Sequence, residues 1–256
     1  MAVTAEAVKT LRERTGAGMM ECKKALVESN GDLDAAAEAM RKSGLAKADK
    51  KASRIAAEGV VVLERSADGK RAAIAEVNCE TDFVAREKDF QNFASSVVKV
   101  ILEQRPADVA ALGEKAIAGG QTVDEARRVL IAKIGENIGV RRFQVVEAPA
   151  VVGAYLHGTR IGALVAMKAG DDAVAKDIAM HVAAINPTRV TASEVPADEV
   201  AKEKAIFIDQ AAQDPKNAGK PRELLEKIVE GKVRKWLNEV TLLGQPFVKD
   251  DKQTVE

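Results

Sequence analysis

Residues 58–102 read EGVVVLERSADGKRAAIAEVNCETDFVAREKDFQNFASSVVKVIL and carry the strongest secondary-structure signals in the chain. Two apolar runs, residues 58–65 and 72–79, flank a turn that contains Asp68-Gly69, which is the pattern of a β-hairpin. Apolar residues then recur at helical spacing, namely Phe90, Phe93, Ala94, Val97, Val98, Ile101 and Leu102. The sequence therefore predicts a β-hairpin followed by an amphipathic helix.

The second half of the chain repeats this order of elements. Residues 151–158 (VVGAYLHG) and 161–169 (IGALVAMKA) predict a second hairpin, and a helix follows it. The apolar face of that helix is expected to consist of Val174, Ile178, Val182 and Ile185. A shorter helix over residues 122–134 and a strand over residues 141–148 complete the first unit. We interpret the repeated order as an internal duplication of supersecondary structure.

The first 44 residues predict three short helices separated by glycine-containing breaks. Thr4 and Asp32 are the predicted N-caps of the first and third helices, and Gly44 is the predicted end of the third. In the second helix, the apolar face is expected to hold Met19, Cys22 and Leu26. The basic segment 45–54 lacks a clean apolar stripe and predicts a linker or an exposed helix, so we place a domain boundary there.

Residues 197–239 depart from the repeat and predict an antiparallel helical hairpin around the breaker-rich segment 214–221. Its narrow apolar seam, which suits a projecting coiled coil, is expected to hold Ala201, Ala205, Ile208, Ala212, Leu225, Val229, Val233 and Trp236. The expected fold class is α+β. We expect a three-helix domain over residues 1–50 and core subdomains over 51–148 and 149–256, the second of which contains the hairpin.

Composition restricts the classes of function. Lysine plus arginine and aspartate plus glutamate number 39 each in 256 residues, so no overall charge favours nucleic acid or anionic lipid. The longest apolar run, residues 163–167, is too short to cross a bilayer. Two cysteines and the absence of a signal-peptide pattern predict a reducing compartment, with the cytoplasm as the default. Two histidines leave few groups for proton transfer, which disfavours an enzyme.

Candidate chemical motifs are few. The glycines at residues 16–18 lack the GxxxxGK[ST] pattern and a preceding strand, so a helix-breaking turn is favoured over a phosphate loop. Cys22 and Cys79 are far apart and lack partners at ligand spacing, which argues against a metal or redox centre. His181 neighbours an apolar face, and this position favours a structural or interface role over a catalytic one. His157 lies beside a hairpin turn and is expected to be exposed, and spacing alone leaves open whether it contacts a partner.

The segment NCETDFV, residues 78–84, leaves two interpretations of Phe83 open. Charged residues interrupt the apolar stripe between Phe90 and Phe83, so Phe83 is either a core residue or an exposed wedge for a partner's pocket. Thr81 or Asp82 is placed to cap the following helix.

Seven motifs follow one another along almost the whole chain. They are LRERTGAGMMECKKAL (11–26), NGDLDAAAEAMRKSG (30–44), EVNCETDFVAR (76–86), KIGENIGVRR (133–142), HGTRIGALV (157–165), IAMHVAA (178–184) and GQPFVKDD (244–251). In this order they resemble the successive signatures of the bacterial translation elongation factor Ts family. The resemblance implies guanine-nucleotide exchange on elongation factor Tu. A member of the family binds the GDP complex, expels GDP and leaves a nucleotide-free complex that GTP then resolves. No cofactor and no bond chemistry are implied.

The resemblance also implies an architecture and a set of contacts. The architecture is a three-helix domain like the ubiquitin-associated (UBA) domain, a core of two related subdomains, and a helical hairpin inserted in the second. The implied contacts with elongation factor Tu in the core are Thr81, Asp82, Phe83, Val84, Ile134, Gly135 and His157, with Asp82 and Phe83 near its magnesium site. The implied contacts on the N-terminal helices are Val8, Leu11, Arg12, Met20 and Lys23. Many family members continue beyond the point matching residues 254–256, so a truncated form is an open alternative.

Two other classes of function stay open at this point. A nucleic-acid-binding protein would suit the basic segment 45–54, although neutral net charge and few aromatic residues argue against it. An enzyme using dispersed carboxylates would require a pocket with paired, perturbed acids. We expect no direct contact with nucleic acid or membrane.

Overall fold

The computed structural model describes residues 3–217 and 219–256, apart from the side chains of residues 45–47 and 49, which belong to the predicted linker. The chain divides into two compact units, and the boundary follows Ala175. Each unit combines α-helices with antiparallel strands, which confirms the α+β class. Among the described residues, no helix is both long enough and apolar enough to span a bilayer.

The first unit begins with three helices, α1 (Ala5–Thr15), α2 (Met19–Glu28) and α3 (Leu33–Lys51). The predicted caps of α1 and α3 are confirmed, because Thr4 Oγ1 accepts a hydrogen bond from the Ala7 amide at 3.2 Å and Asp32 Oδ1 accepts from the Asp34 and Ala35 amides. The buried core of these helices consists of Val8, Leu11, Cys22, Ala25, Leu26 and Ala36. Met19, predicted on the buried face of α2, is exposed instead.

The prediction that α3 ends at Gly44 is wrong, since α3 continues to Lys51. Its second half packs against α7 (Val123–Ile134). A Cβ atom on Gly44 would lie 2.9 Å from Ala132 Cβ, and Ala48 is buried in the main core of the unit. Gly44 therefore allows two helices to approach closely and does not terminate one. Where the N-terminal domain ends stays a prediction.

The main core of the first unit lies under a three-stranded antiparallel sheet, in the order β1 (Glu58–Arg65), β2 (Arg71–Cys79) and β3 (Gly139–Glu147). In its register, Val62 pairs with Ala75, which in turn pairs with Phe143. Helix α5 (Lys88–Gln104) packs on β1 and β2. All seven residues of its predicted apolar stripe are buried, so this prediction is confirmed. Two further helices, α6 (Val109–Gly113) and α7, complete this layer.

A second hairpin, β4 (Val151–His157) and β5 (Ile161–Met167), leads into α8 (Asp172–Ile185). The predicted apolar face of α8 is wrong in part. Ile178 and Val182 are half-buried, but Val174 and Ile185 are exposed, and the buried residues are Ala175, Ala179 and His181. The first turn of α8 lies so close to β4 that a Cβ atom on Gly153 would stand 2.0 Å from the Ala175 carbonyl oxygen. Such a close approach of two backbones buries small residues and leaves no room for large ones.

The second unit contains the rest of α8, then α9 (Ala197–Gln213), α10 (Arg222–Val240), β6 (Pro246–Phe247) and β7 (Asp250–Thr254). Helices α9 and α10 pack on each other through Ile208, Ala211, Leu225 and Val229. Of the predicted seam, Ala201, Ala205 and Ala212 are exposed, and Val233 and Trp236 are half-buried. In the same unit, His181 Nε2 lies 2.9 Å from Gln245 Oε1 and its Nδ1 accepts a hydrogen bond from the Val248 amide. Both ring nitrogens of His181 are therefore hydrogen-bonded inside the fold, which fits a structural role.

Candidate partner-binding site

The turn after β2 presents Phe83 to solvent. Thr81 is the N-cap of the short helix α4 (Asp82–Ala85), and its hydroxyl accepts a 3.4 Å hydrogen bond from the Val84 amide. Cys79 Sγ donates to the Thr81 carbonyl oxygen at 3.1 Å, which closes the turn from inside. The ring of Phe83 is 78% exposed, so Phe83 is not a core residue. A large exposed apolar side chain on a capped turn is typical of an interface anchor.

The structure places the other expected contact residues in two groups. Val84 belongs to the main core, and Val8 and Leu11 belong to the core of the three helices, so their side chains stabilise the chain's own fold. The exposed residues on the N-terminal helices are Arg12, Met20 and Lys23, and Met20 is 76% exposed. Large side chains that the fold leaves in water are the ones available to a partner.

A second turn follows α7 and lies against the first. Gly135 caps α7 in the left-handed region at φ 92°, and Ile134 before it is half-buried against the main core. Glu136 comes next, and its Oε2 accepts hydrogen bonds from the Glu80 amide at 3.1 Å and the Thr81 amide at 3.0 Å. Its Oε1 accepts from the Thr81 hydroxyl at 2.7 Å. One carboxylate thus satisfies three donors of the Phe83 turn.

The link between the two turns is reciprocal. Glu80 Oε1 accepts a 2.6 Å hydrogen bond from the Asn137 amide and lies 3.5 Å from Arg54 Nη1. Asn137 Nδ2 donates to the Arg54 carbonyl oxygen at 2.7 Å, and Lys51 Nζ donates to the Gly135 carbonyl oxygen at 2.6 Å. Residues 51–54, 80–83 and 134–137 therefore form one hydrogen-bonded cluster. No sequence pattern singled out Glu80, Glu136 or Asn137, although they lie within the motifs of residues 76–86 and 133–142.

The charge beside Phe83 is balanced within its own helix. Asp82 Oδ2 accepts a hydrogen bond from Arg86 Nη2 at 2.9 Å, one helical turn later. Both side chains are exposed, so their attraction is weak and screened by salt. A partner can therefore replace Arg86 as the counter-charge of Asp82 at small cost.

His157 lies at the end of β4, beside the turn that joins β4 to β5, and is exposed. Tyr155 Oη and His157 Nδ1 are 3.2 Å apart, and the two rings stack. The turn is joined to β1 by a hydrogen bond from the Val61 amide to the Thr159 carbonyl oxygen and by the ion pair of Arg160 with Glu58. His157 is thus held on a fixed support.

Cys79 has a strongly perturbed thiol. Burial raises its pKa from 9.0 to about 11, and the nearby negative charge of Glu136 acts in the same direction. The protonated thiol can donate to the Thr81 carbonyl oxygen, whereas a thiolate cannot. At neutral pH, Cys79 is therefore an inert structural residue of the Phe83 turn.

We expect Cys79 to make the protein less stable in alkali. Between pH 9.0 and about pH 11 the unfolded thiol loses its proton while the folded thiol keeps it, so the free energy of unfolding falls as the pH rises. Chemical unfolding of the wild type and of Cys79→Ala across this interval measures the effect, and Cys22 is present in both proteins. As the pH rises, the free energy of unfolding of the wild type should fall relative to that of Cys79→Ala. A constant difference would contradict the raised pKa.

Within residues 3–217 and 219–256, no group of three or more His, Cys, Asp or Glu side chains is arranged to hold a metal ion. The two turns form one hydrogen-bonded surface that carries an exposed aromatic residue. Such a surface can recognise a protein partner.

Comparison with known proteins gives a consistent result. The family model described as "Elongation factor TS" matches residues 80–256. Proteins named "Elongation factor Ts" from Hydrogenovibrio crunogenus and Methylococcus capsulatus are 54% and 56% identical over 256 residues. Each alignment covers 100% of this chain and 86% of the relative. The protein of the same name from Thioalkalivibrio sulfidiphilus is 56% identical over 257 residues, with the same coverage.

Proposed function

The chain belongs to the elongation factor Ts family, and we propose that it releases GDP from elongation factor Tu during translation elongation. The observation that carries the proposal is Phe83, an exposed aromatic residue on a turn held by hydrogen bonds to Glu136 and Asn137. Together with the family membership, this anchor favours a binding function over the enzyme and nucleic-acid alternatives.

An exchange factor of this kind acts by differential binding. If the chain binds nucleotide-free elongation factor Tu more tightly than its GDP complex, linkage requires that GDP bind more weakly in its presence. A tenfold weakening of GDP needs only about 1.4 kcal/mol of differential binding. A few anchoring contacts can supply this amount without any bond chemistry. The proposed role therefore requires neither a catalytic residue nor a cofactor.

We assign the roles of the contact residues on the same basis. Phe83 enters a pocket between helices of elongation factor Tu, and Asp82 exchanges Arg86 for a partner group and displaces the segment that supports Mg²⁺. Loss of Mg²⁺ support then loosens the GDP phosphates. Further contacts come from the turn at Ile134 and Gly135, and from His157. The half-buried Thr81 and the buried Val84 act by holding the turn in place.

The N-terminal helices dock on the nucleotide-binding domain of elongation factor Tu in this proposal. Their exposed residues Arg12, Met20 and Lys23 make the contacts, while Val8 and Leu11 hold the helices together. We further propose that α1–α3 are UBA-like, that the core comprises two related subdomains, and that the α9–α10 pair is an inserted hairpin. The proposed setting is the cytoplasm, with no direct contact with nucleic acid or membrane.

A release assay tests the proposal directly. The chain is mixed with elongation factor Tu loaded with a fluorescent GDP, excess unlabelled GDP is added, and the loss of fluorescence is timed. We expect the chain to accelerate release at least about tenfold, which corresponds to about 1.4 kcal/mol. The control adds the same concentration of an unrelated protein. Unchanged release, together with no complex on gel filtration, would refute the proposed function.

A further inference from the structure

We propose that Glu136 is a positioning residue for nucleotide exchange, because its carboxylate fixes the direction in which the turn presents Asp82 and Phe83. The inference rests on the proposed function and deepens it. Glu136 does not have to touch elongation factor Tu for this role.

The geometry of the carboxylate supports this role. Its two oxygens accept hydrogen bonds from the Glu80 amide, the Thr81 amide and the Thr81 hydroxyl at 2.7–3.1 Å. Hydrogen bonds to an ionised acceptor are stronger than those between neutral groups. All three donors precede Phe83 by two or three residues, and Thr81 is the N-cap of the helix that carries Phe83. A displacement of the carboxylate would therefore redirect the whole turn.

The return contact extends the effect to a second element. Glu80 accepts the Asn137 amide, so each turn supplies a carboxylate that binds the backbone of the other. Neither turn can move alone without leaving an amide unsatisfied. Phe83 and the Ile134–Gly135 turn, which we assign to separate contacts, thus behave as one rigid body.

Rigidity matters because exchange depends on differential binding. A flexible Phe83 turn would have to become ordered as it entered its pocket, and that ordering would subtract from the binding energy. A flexible turn could also adapt to the pocket in both the GDP-bound and the nucleotide-free state of elongation factor Tu, and it would then bind the two states equally. A rigid turn favours the one conformation of elongation factor Tu whose pocket it fits.

The test uses Glu136→Gln, which keeps the size of the side chain and one acceptor but removes the charge and replaces the other oxygen with a donor. We expect the maximal rate of GDP release to fall at least fivefold. The matched control is Glu125→Gln at the other end of α7, where the Glu125 carboxylate accepts the Thr122 amide in a capping box. The control should alter helix stability and leave the maximal rate within twofold.

A double substitution separates positioning from general destabilisation. In a Phe83→Ala background, Glu136→Gln should cost less than the fivefold that it costs in the wild type, because part of its effect passes through the presentation of Phe83. Glu80→Gln, which weakens the return contact, should act in the same direction with a smaller effect. A full additional loss in the Phe83→Ala background, or an equal loss in Glu125→Gln, would overturn the inference.

Hydrogen exchange provides a readout that does not depend on activity. Glu136→Gln in the free protein should speed amide exchange at residues 80–84, and Glu125→Gln should not. If the wild type failed to release GDP, the proposed function would be wrong. If the wild type released GDP and Glu136→Gln left both its rate and the exchange at residues 80–84 unchanged, only the role of Glu136 would be wrong.

Discussion

Phe83→Ala is expected to slow GDP release roughly 30-fold at limiting chain concentration, because loss of a central interface anchor costs about 2 kcal/mol of binding. The same substitution should change the free energy of unfolding by less than about 0.5 kcal/mol, since the ring is 78% exposed. The combination of a large functional effect with a small effect on stability is what distinguishes a wedge from a core residue.

Two control variants make the result interpretable. Val190→Ala truncates another apolar side chain, 49% exposed and outside the proposed contacts, and should leave the release rate unchanged. Phe90→Ala removes a fully buried phenylalanine and should cost about 3–5 kcal/mol of stability. Stopped-flow release and thermal unfolding are measured on all variants. If Phe83→Ala lost as much stability as Phe90→Ala, the assignment of Phe83 to a partner's pocket would be wrong.

The elements that the sequence predicted well are those whose signal is local. The stripe of α5 follows one helical period, from Phe90 to Leu102, and every member of it is buried. The caps at Thr4 and Asp32 are similarly local, because a hydroxyl or carboxylate needs only an amide two or three residues away. Periodicity and capping depend on residues that are close in the sequence, so the sequence alone is sufficient to predict them.

The predictions that failed depend on which element of the tertiary structure packs against a residue. Glycine is typical of a helix end, but Gly44 lies inside α3, where it contacts Ala132 of α7. On α8, the large residues Val174 and Ile185 have the helical spacing of a core face, but the small Ala175 lies on β4. A pattern of hydrophobicity cannot show which of two faces meets a backbone at short distance.

The site was predicted in part for the same reason. Residues near the exposed aromatic were identified through motif resemblance, whereas Glu136 acts across 55 residues of sequence. Whether Phe83 lies in the core depended on the direction of one short helix, and that direction is set by the distant carboxylate. Motif resemblance thus singled out Phe83, and only the tertiary structure shows what holds its turn.

The tightest of these tertiary contacts predicts a large loss of stability in Gly153→Ala. The new Cβ atom would stand 2.0 Å from the Ala175 carbonyl oxygen and 2.4 Å from its carbonyl carbon, far inside van der Waals contact. These are backbone atoms in the first turn of α8, so no side-chain rotation can relieve the clash. Because β4 or the helix must shift, we expect a loss of about 3 kcal/mol or more, at the upper end for an overpacked core.

Gly139→Ala is the matched control, since Gly139 also lies in a strand, β3, but a Cβ atom there would meet nothing within 4 Å. That variant should unfold within about 0.5 kcal/mol of the wild type, or slightly above it, because alanine restricts the unfolded chain. Urea unfolding of the three proteins measures the difference. Equal midpoints for Gly153→Ala and Gly139→Ala would mean that β4 and α8 do not approach as closely as this, and the explanation of the alanine face of α8 would fail with them.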